Sequence, residues 1–110
     1  MQIKEFIEKT GFELLNSDAD LTREIKGVFV GDLLSWVMGK SEADMVWITV
    51  QSHLNIVAVA ALKEMSCLIV AQDAEIPEET LLKASEEKLA LCKTSLSAYE
   101  AAKVCAQLGL

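Results

Sequence analysis

Met45-Val46-Trp47-Ile48-Thr49-Val50-Gln51-Ser52-His53-Leu54-Asn55-Ile56-Val57-Ala58-Val59-Ala60-Ala61-Leu62 is the stretch on which the fold turns. Its first six residues carry apolar side chains on both faces, the pattern of a strand covered on both sides. Gln51-Ser52 then turns the chain, and residues 53–65 read as a helix. A second unbroken apolar run at 66–71 follows, which predicts another fully buried strand. Two such strands joined by a helix form a βαβ unit, with parallel strands and a right-handed crossover.

Outward from this unit the same alternation continues. Pro77 stands at the favoured first position of a helix over 77–88, with Glu78 and Glu79 complementing its N-terminus. Residues 90–93 make a short strand. Ser97-Ala98-Tyr99-Glu100 fits a capping box that opens the last helix, and Gly109 ends it. Toward the N-terminus, Ile3, Phe6 and Ile7 form a helical stripe stopped by Gly11. Residues 12–15 read as a strand, Asn16-Ser17-Asp18-Ala19-Asp20 as a turn, and 25–30 as a second strand. These two strands have no clear helix between them and could pair antiparallel, so a mixed sheet is expected. Asp32 is placed to cap a short helix over 33–38 that Gly39 closes. The expectation is an α/β protein of one domain, residues 1–110: a three-layer α/β/α arrangement on a mixed, mostly parallel sheet of about five strands.

Composition narrows function without naming it. Ten Lys and Arg against seventeen Asp and Glu leave a net charge of −7 over 110 residues. That sign opposes binding to nucleic acid through phosphate and to an anionic membrane surface. The longest apolar run, residues 56–62, is far too short to span a bilayer, and the first residues lack the apolar core of a secretory signal. Cys67, Cys92 and Cys105 are widely spaced and odd in number, and His53 is the one histidine. Neither a disulfide framework nor a zinc site follows, so no metal and no cofactor are expected. Free thiols fit a cytoplasmic setting, with Cys67 and Cys92 packed as small hydrophobes.

The 56–62 helix is apolar all round, whereas a surface helix shows one apolar stripe. Either the N- or C-terminal helix covers its second side, or a second copy of the chain does. Leu54, Val57, Ala58, Ala61 and Leu62 are the expected contacts of such a homodimer, and Trp36 and Trp47 read as core or interface anchors.

In open parallel sheets, ligands bind beyond the carboxyl ends of strands, near the point where the topology switches. Thr49, Gln51, Ser52, His53 and Asn55 gather polar groups around a helix N-terminus, a place that favours an anion. Gly31 and Asp32 form the neighbouring turn. These seven residues are the candidate contacts for a small anionic ligand, against the plainer reading that Ser52 caps its helix and His53 lies on the surface. Catalysis has little support. Ser52 and His53 are neighbours whose side chains diverge, no orienting third group is evident, and no phosphate-binding glycine loop exists.

Gly27-Val28-Phe29-Val30-Gly31-Asp32-Leu33-Leu34-Ser35, taken with residues 46–60 and the Ser97–Glu100 segment, resembles the DRTGG domain family, over most of the chain. That family is similar to the N-terminal domain of HPr kinase/phosphorylase and occurs in phosphotransacetylases and CBS-containing pyrophosphatases. The resemblance implies a layered α/β/α domain used for regulation or dimerisation, not catalysis. At the position of the family's name-giving motif this chain reads Gln51-Ser52-His53-Leu54-Asn55. An arginine there would hold phosphate at any pH, whereas a histidine would make phosphate binding weaker or pH-dependent. Together with the polar turn ahead of the 53–65 helix, the resemblance leads to the expectation of a homodimeric regulatory module that senses a small anionic metabolite or nucleotide; the alternative is a module that docks on a partner enzyme or signalling protein and binds no small molecule.

Overall fold

Along each central strand, successive side chains point to opposite sides of the sheet, and each side carries its own core. The computed structural model describes Met1–Leu110. Its elements run in the order α1 (Ile3–Thr10), β1 (Glu13–Leu14), β2 (Gly27–Val30), α2 (Leu34–Lys40), β3 (Met45–Thr49), α3 (Asn55–Leu62), β4 (Cys67–Val70), α4 (Glu78–Glu86), β5 (Ala90–Lys93) and α5 (Ala98–Gln107). Val46, Ile48, Cys67, Ile69, Ala90 and Cys92 face one way and pack with Ile3 and Phe6 of α1 and Ala101 and Cys105 of α5. Trp47, Leu68, Val70 and Leu91 face the other way, against Val37 of α2, Ile56, Val57 and Ala60 of α3, and Ala84 of α4. The result is the expected three-layer α/β/α arrangement.

The five strands lie in the order β1-β5-β4-β3-β2. β2, β3, β4 and β5 run parallel to one another, and each connecting helix from α2 to α4 falls on the same face. A constant crossover hand requires this when successive strands are added in one direction. The mixed character comes from β1, which runs antiparallel to β5 with Glu13 opposite Lys93. β1 and β2 are therefore the two opposite edges of the sheet, and the expected hairpin-like pairing between them does not form. Asn16 explains part of that choice. Its buried side chain donates to Leu89 O (2.6 Å) and accepts from Leu91 N (2.9 Å), extending the β1–β5 seam past the last strand residue.

Several local expectations shift. Leu33 occupies the N-cap of α2, and Asp32 makes no cap bond; its carboxylate is engaged elsewhere. α2 runs through Gly39 and ends at Ser41, whose hydroxyl donates to Val37 O. Pro77 is the N-cap of α4 instead of its first residue. α3 is shorter than predicted because the chain leaves the helix at Lys63 and passes through Glu64 at φ 56°. Arg23 holds this exit by donating to Glu64 O and Met65 O. The capping box of α5 forms as read: Glu100 N donates to Ser97 Oγ and Ser97 N to Glu100 Oε1.

Candidate functional site

The carboxyl ends of β2 and β3 meet in a compact polar knot. Asp32 Oδ1 accepts from Thr49 Oγ1 and from Val50 N, both at 2.8 Å. Thr49 Oγ1 in turn accepts from Gln51 N (3.1 Å), and Gln51 Nε2 donates to Asp32 O. Gly31 is fixed on both sides: its N–H donates to Ile48 O, and its carbonyl accepts from Trp47 Nε1 at 2.8 Å. Thr49, Gln51, Gly31 and Asp32 are thus brought together, but largely to satisfy one another.

Ser52, His53 and Asn55 sit beyond the knot. The Ser52 side chain caps nothing, since Leu54 is the N-cap of α3; its carbonyl accepts from Thr80 Oγ1, which moors the start of α4 to this turn. His53 is exposed, and its Nδ1 accepts from Asn55 N at 3.1 Å, which requires an unprotonated Nδ1. The N–H groups of Ser52, His53 and Leu54 have no partner within the chain. Consecutive free N–H groups ahead of a helix are an arrangement suited to an anion.

α3 is not sheathed by α1 or α5, which lie on the opposite face of the sheet; its flanks are α2 and α4. Val57 is wholly buried with Ile56 and Ala60 inside this layer, so it drops out of the expected dimer contacts. Ala58 and Leu62 face out, with Leu62 70% exposed, and Leu54 and Ala61 are half-covered. The same helical layer exposes Trp36 at 59% and Leu82 at 58%. Trp36 is therefore no core residue, and Lys40 Nζ stands 5.9 Å from its ring centroid. Trp47 is fully buried in the core.

The topological switch lies elsewhere than at β3. The chain leaves β2, β3 and β4 toward one face, but leaves β5 toward α5 on the other. Beyond the carboxyl ends of β4 and β5 lies a cleft of about 490 Å³ lined by Gly11, Glu13, Asp73, Lys93, Thr94 and Ser95. Sequence reasoning passed over all six. Lys93 reads only as the end of a strand and Asp73 as part of no motif, and only the strand order brings Gly11 and Glu13 beside them.

The three cysteines cluster under α5. Cys67 and Cys92 are buried with their sulfurs 3.9 Å apart. The hydrogen bond with Cys92, together with burial, pushes the Cys67 thiol well up. Burial raises Cys105 to about 11. Protonated, enclosed thiols are poor nucleophiles and poor metal ligands. No three His, Cys, Asp or Glu side chains lie where they could together hold a metal ion. No helix is long and apolar enough to cross a membrane.

No protein-family model matches this sequence. Comparison with curated proteins gives no match either. Among solved structures, the chain is similar to the CBS and DRTGG domains of the regulatory region of Clostridium perfringens pyrophosphatase, in complex with its activator diadenosine tetraphosphate, at a TM-score of 0.76 and 16% identity. The match covers 96% of this chain and 46% of that one, so this chain spans less than half of that regulatory region. At that identity the likeness establishes a DRTGG-related fold.

Proposed function

We propose that this chain is a non-catalytic regulatory module that pairs with a second copy through the outer face of α3 and senses a small anionic metabolite or nucleotide. The carrying observation is the exposed apolar surface of the helical layer. Leu62, Trp36 and Leu82 stand out into solvent on one side of a protein with a net charge of −7. Large apolar side chains gathered in one exposed layer suit an interaction surface. Leu54, Ala58, Ala61 and Leu62 supply the α3 contacts, and the small alanines allow close approach of two helices.

Support for the ligand comes from the free N–H groups of Ser52, His53 and Leu54. Gln51, Ser52, His53 and Asn55 are its proposed contacts, with Thr49, Gly31 and Asp32 as the supporting turn. The similar regulatory region binds a dinucleotide polyphosphate, a ligand of the same chemical class. The absence of a base or orienting group beside the exposed His53 supports a module without catalysis.

Light scattering of the full chain at micromolar concentration tests the pairing. The expected result is a dimer that Leu62→Glu converts to a folded monomer. A wild-type monomer removes the pairing and leaves the apolar face to a partner enzyme or signalling protein, the second reading. Melting temperature measured with adenine nucleotides, acetyl phosphate and pyrophosphate tests the ligand, since binding to the folded state raises it. No rise at pH 6 or pH 8 removes the sensing half.

A further inference from the structure

In a parallel sheet, a crevice opens where neighbouring strands send their outgoing chains to opposite faces, because the two loops part there. β4 and β5 are the one adjacent parallel pair here that does so: β4 leads to α4 and β5 to α5, on opposite sides of the sheet. The 490 Å³ cleft lies beside this point, where the backbones of the two loops are joined by Gln72 N to Leu96 O and Asp73 N to Thr94 O, and no hydrophobic side chain lines it. Its charges are of both signs. Lys93 Nζ stands 4.0 Å from Asp73 Oδ1, a distance that leaves both groups only loosely joined. Glu13 sits directly opposite Lys93 across the β1–β5 seam. The Ser95 N–H has no partner in the chain, and the Ser95 and Thr94 hydroxyls border the same space.

The loop that carries Asp73 is also held in an unusual shape. Gln72 and Asp73 are consecutive non-glycine residues at φ 60° and 52°. Their N–H groups are anchored on Leu96 O and Thr94 O, so the shape is maintained by the loop that follows β5. Left-handed residues of this kind persist where the surroundings over-determine them.

We propose that this crevice is a binding site for a small zwitterion, a free α-amino acid with a polar side chain. Its ammonium lies between the Glu13 and Asp73 carboxylates, and its carboxylate meets Lys93 and the Ser95 N–H. Two carboxylates beside one ammonium disfavour a polyphosphate, which separates this site from the one ahead of α3. A ligand carrying both charges completes the Lys93–Asp73 pair that the chain leaves open.

An amide-resolved NMR titration of the full chain with L-glutamine at millimolar concentration tests the proposal. Saturable shifts are expected at the amides of Asp73, Thr94 and Ser95. N-acetyl-L-glutamine, which lacks the ammonium, and L-glutaminamide, which lacks the carboxylate, should each bind about 10-fold more weakly, the loss of roughly one charge-assisted contact. Lys93→Met, which keeps the aliphatic stem, should weaken L-glutamine to the same degree, with Asp73→Asn as the second variant should the first fail to fold. No saturable shift at those amides, equal binding of the capped analogues, or unchanged affinity in both variants overturns the assignment.

Discussion

The carboxyl ends of β3 and β5 differ in what their polar groups are for. At the end of β3, Asp32, Thr49, Val50 and Gln51 spend their hydrogen bonds on one another, and Gly31 spends its own on Ile48 and Trp47. At the end of β5, Lys93, Asp73, Glu13 and Ser95 keep most of theirs open to an open space. Both ends are rich in polar residues, so composition does not separate them. The loops after β4 and β5 are joined through their backbones, Gln72 N to Leu96 O and Asp73 N to Thr94 O, and the charged side chains are left to the cleft.

This contrast can be broken most severely from below the β3 end. Trp47→Ala empties the largest fully buried side chain and removes the donor to Gly31 O. A loss of about 4 kcal/mol is expected by denaturant unfolding, the usual cost of emptying an aromatic core position. Asp32→Ala releases Thr49 Oγ1 and Val50 N together and should cost about 1.5 kcal/mol, since Asp32 is exposed and water replaces part of what is lost. At the other end the sign reverses. Gln72→Gly relieves one left-handed residue and should raise stability by about 1 kcal/mol in the same measurement. A destabilised Gln72→Gly protein would mean that the loop is not strained at all.

The smallest effect is titrated at the start of α5. Hydrogen bonds from the Ser97 backbone and side chain hold Glu100 below its ordinary 4.5. A carboxylate whose folded value is depressed adds stability above its unfolded value and loses it as pH falls through the folded one. Wild type should therefore lose stability below pH 4.5 more steeply than Glu100→Gln, and the two acid titrations should run parallel above that value.

The sheet was legible because its strands are buried on both faces, and that leaves unbroken apolar runs at 45–50, 66–71 and 90–93. The capping box at Ser97 was legible because its chemistry is local. What escaped depends on which segments lie side by side. β1 is two residues long and carries no signal of its partner, and Asn16, which reads as part of a turn, proves to be a buried amide held by a distant strand. Asp32 looked like a helix cap because helix caps are sequence-local, whereas its actual partners lie on another strand. The apolar run 56–62 was read as a helix in need of cover on every side. Its buried side proved to be Ile56, Val57 and Ala60, and its outward side ended in Leu62. Glu13 and Lys93 could not be joined in the sequence, since nothing short of the strand order makes them neighbours.

The seam between β1 and β5 has a consequence for synthesis. Glu13 and Leu14 are made well before their partners Lys93 and Cys92 and the carbonyl of Leu89 that Asn16 needs. Contacts so distant in sequence form only after the intervening chain is available. The edge of β5 is thus closed by a segment made ahead of it, so a nascent chain halted before residue 89 leaves residues 13–16 undocked.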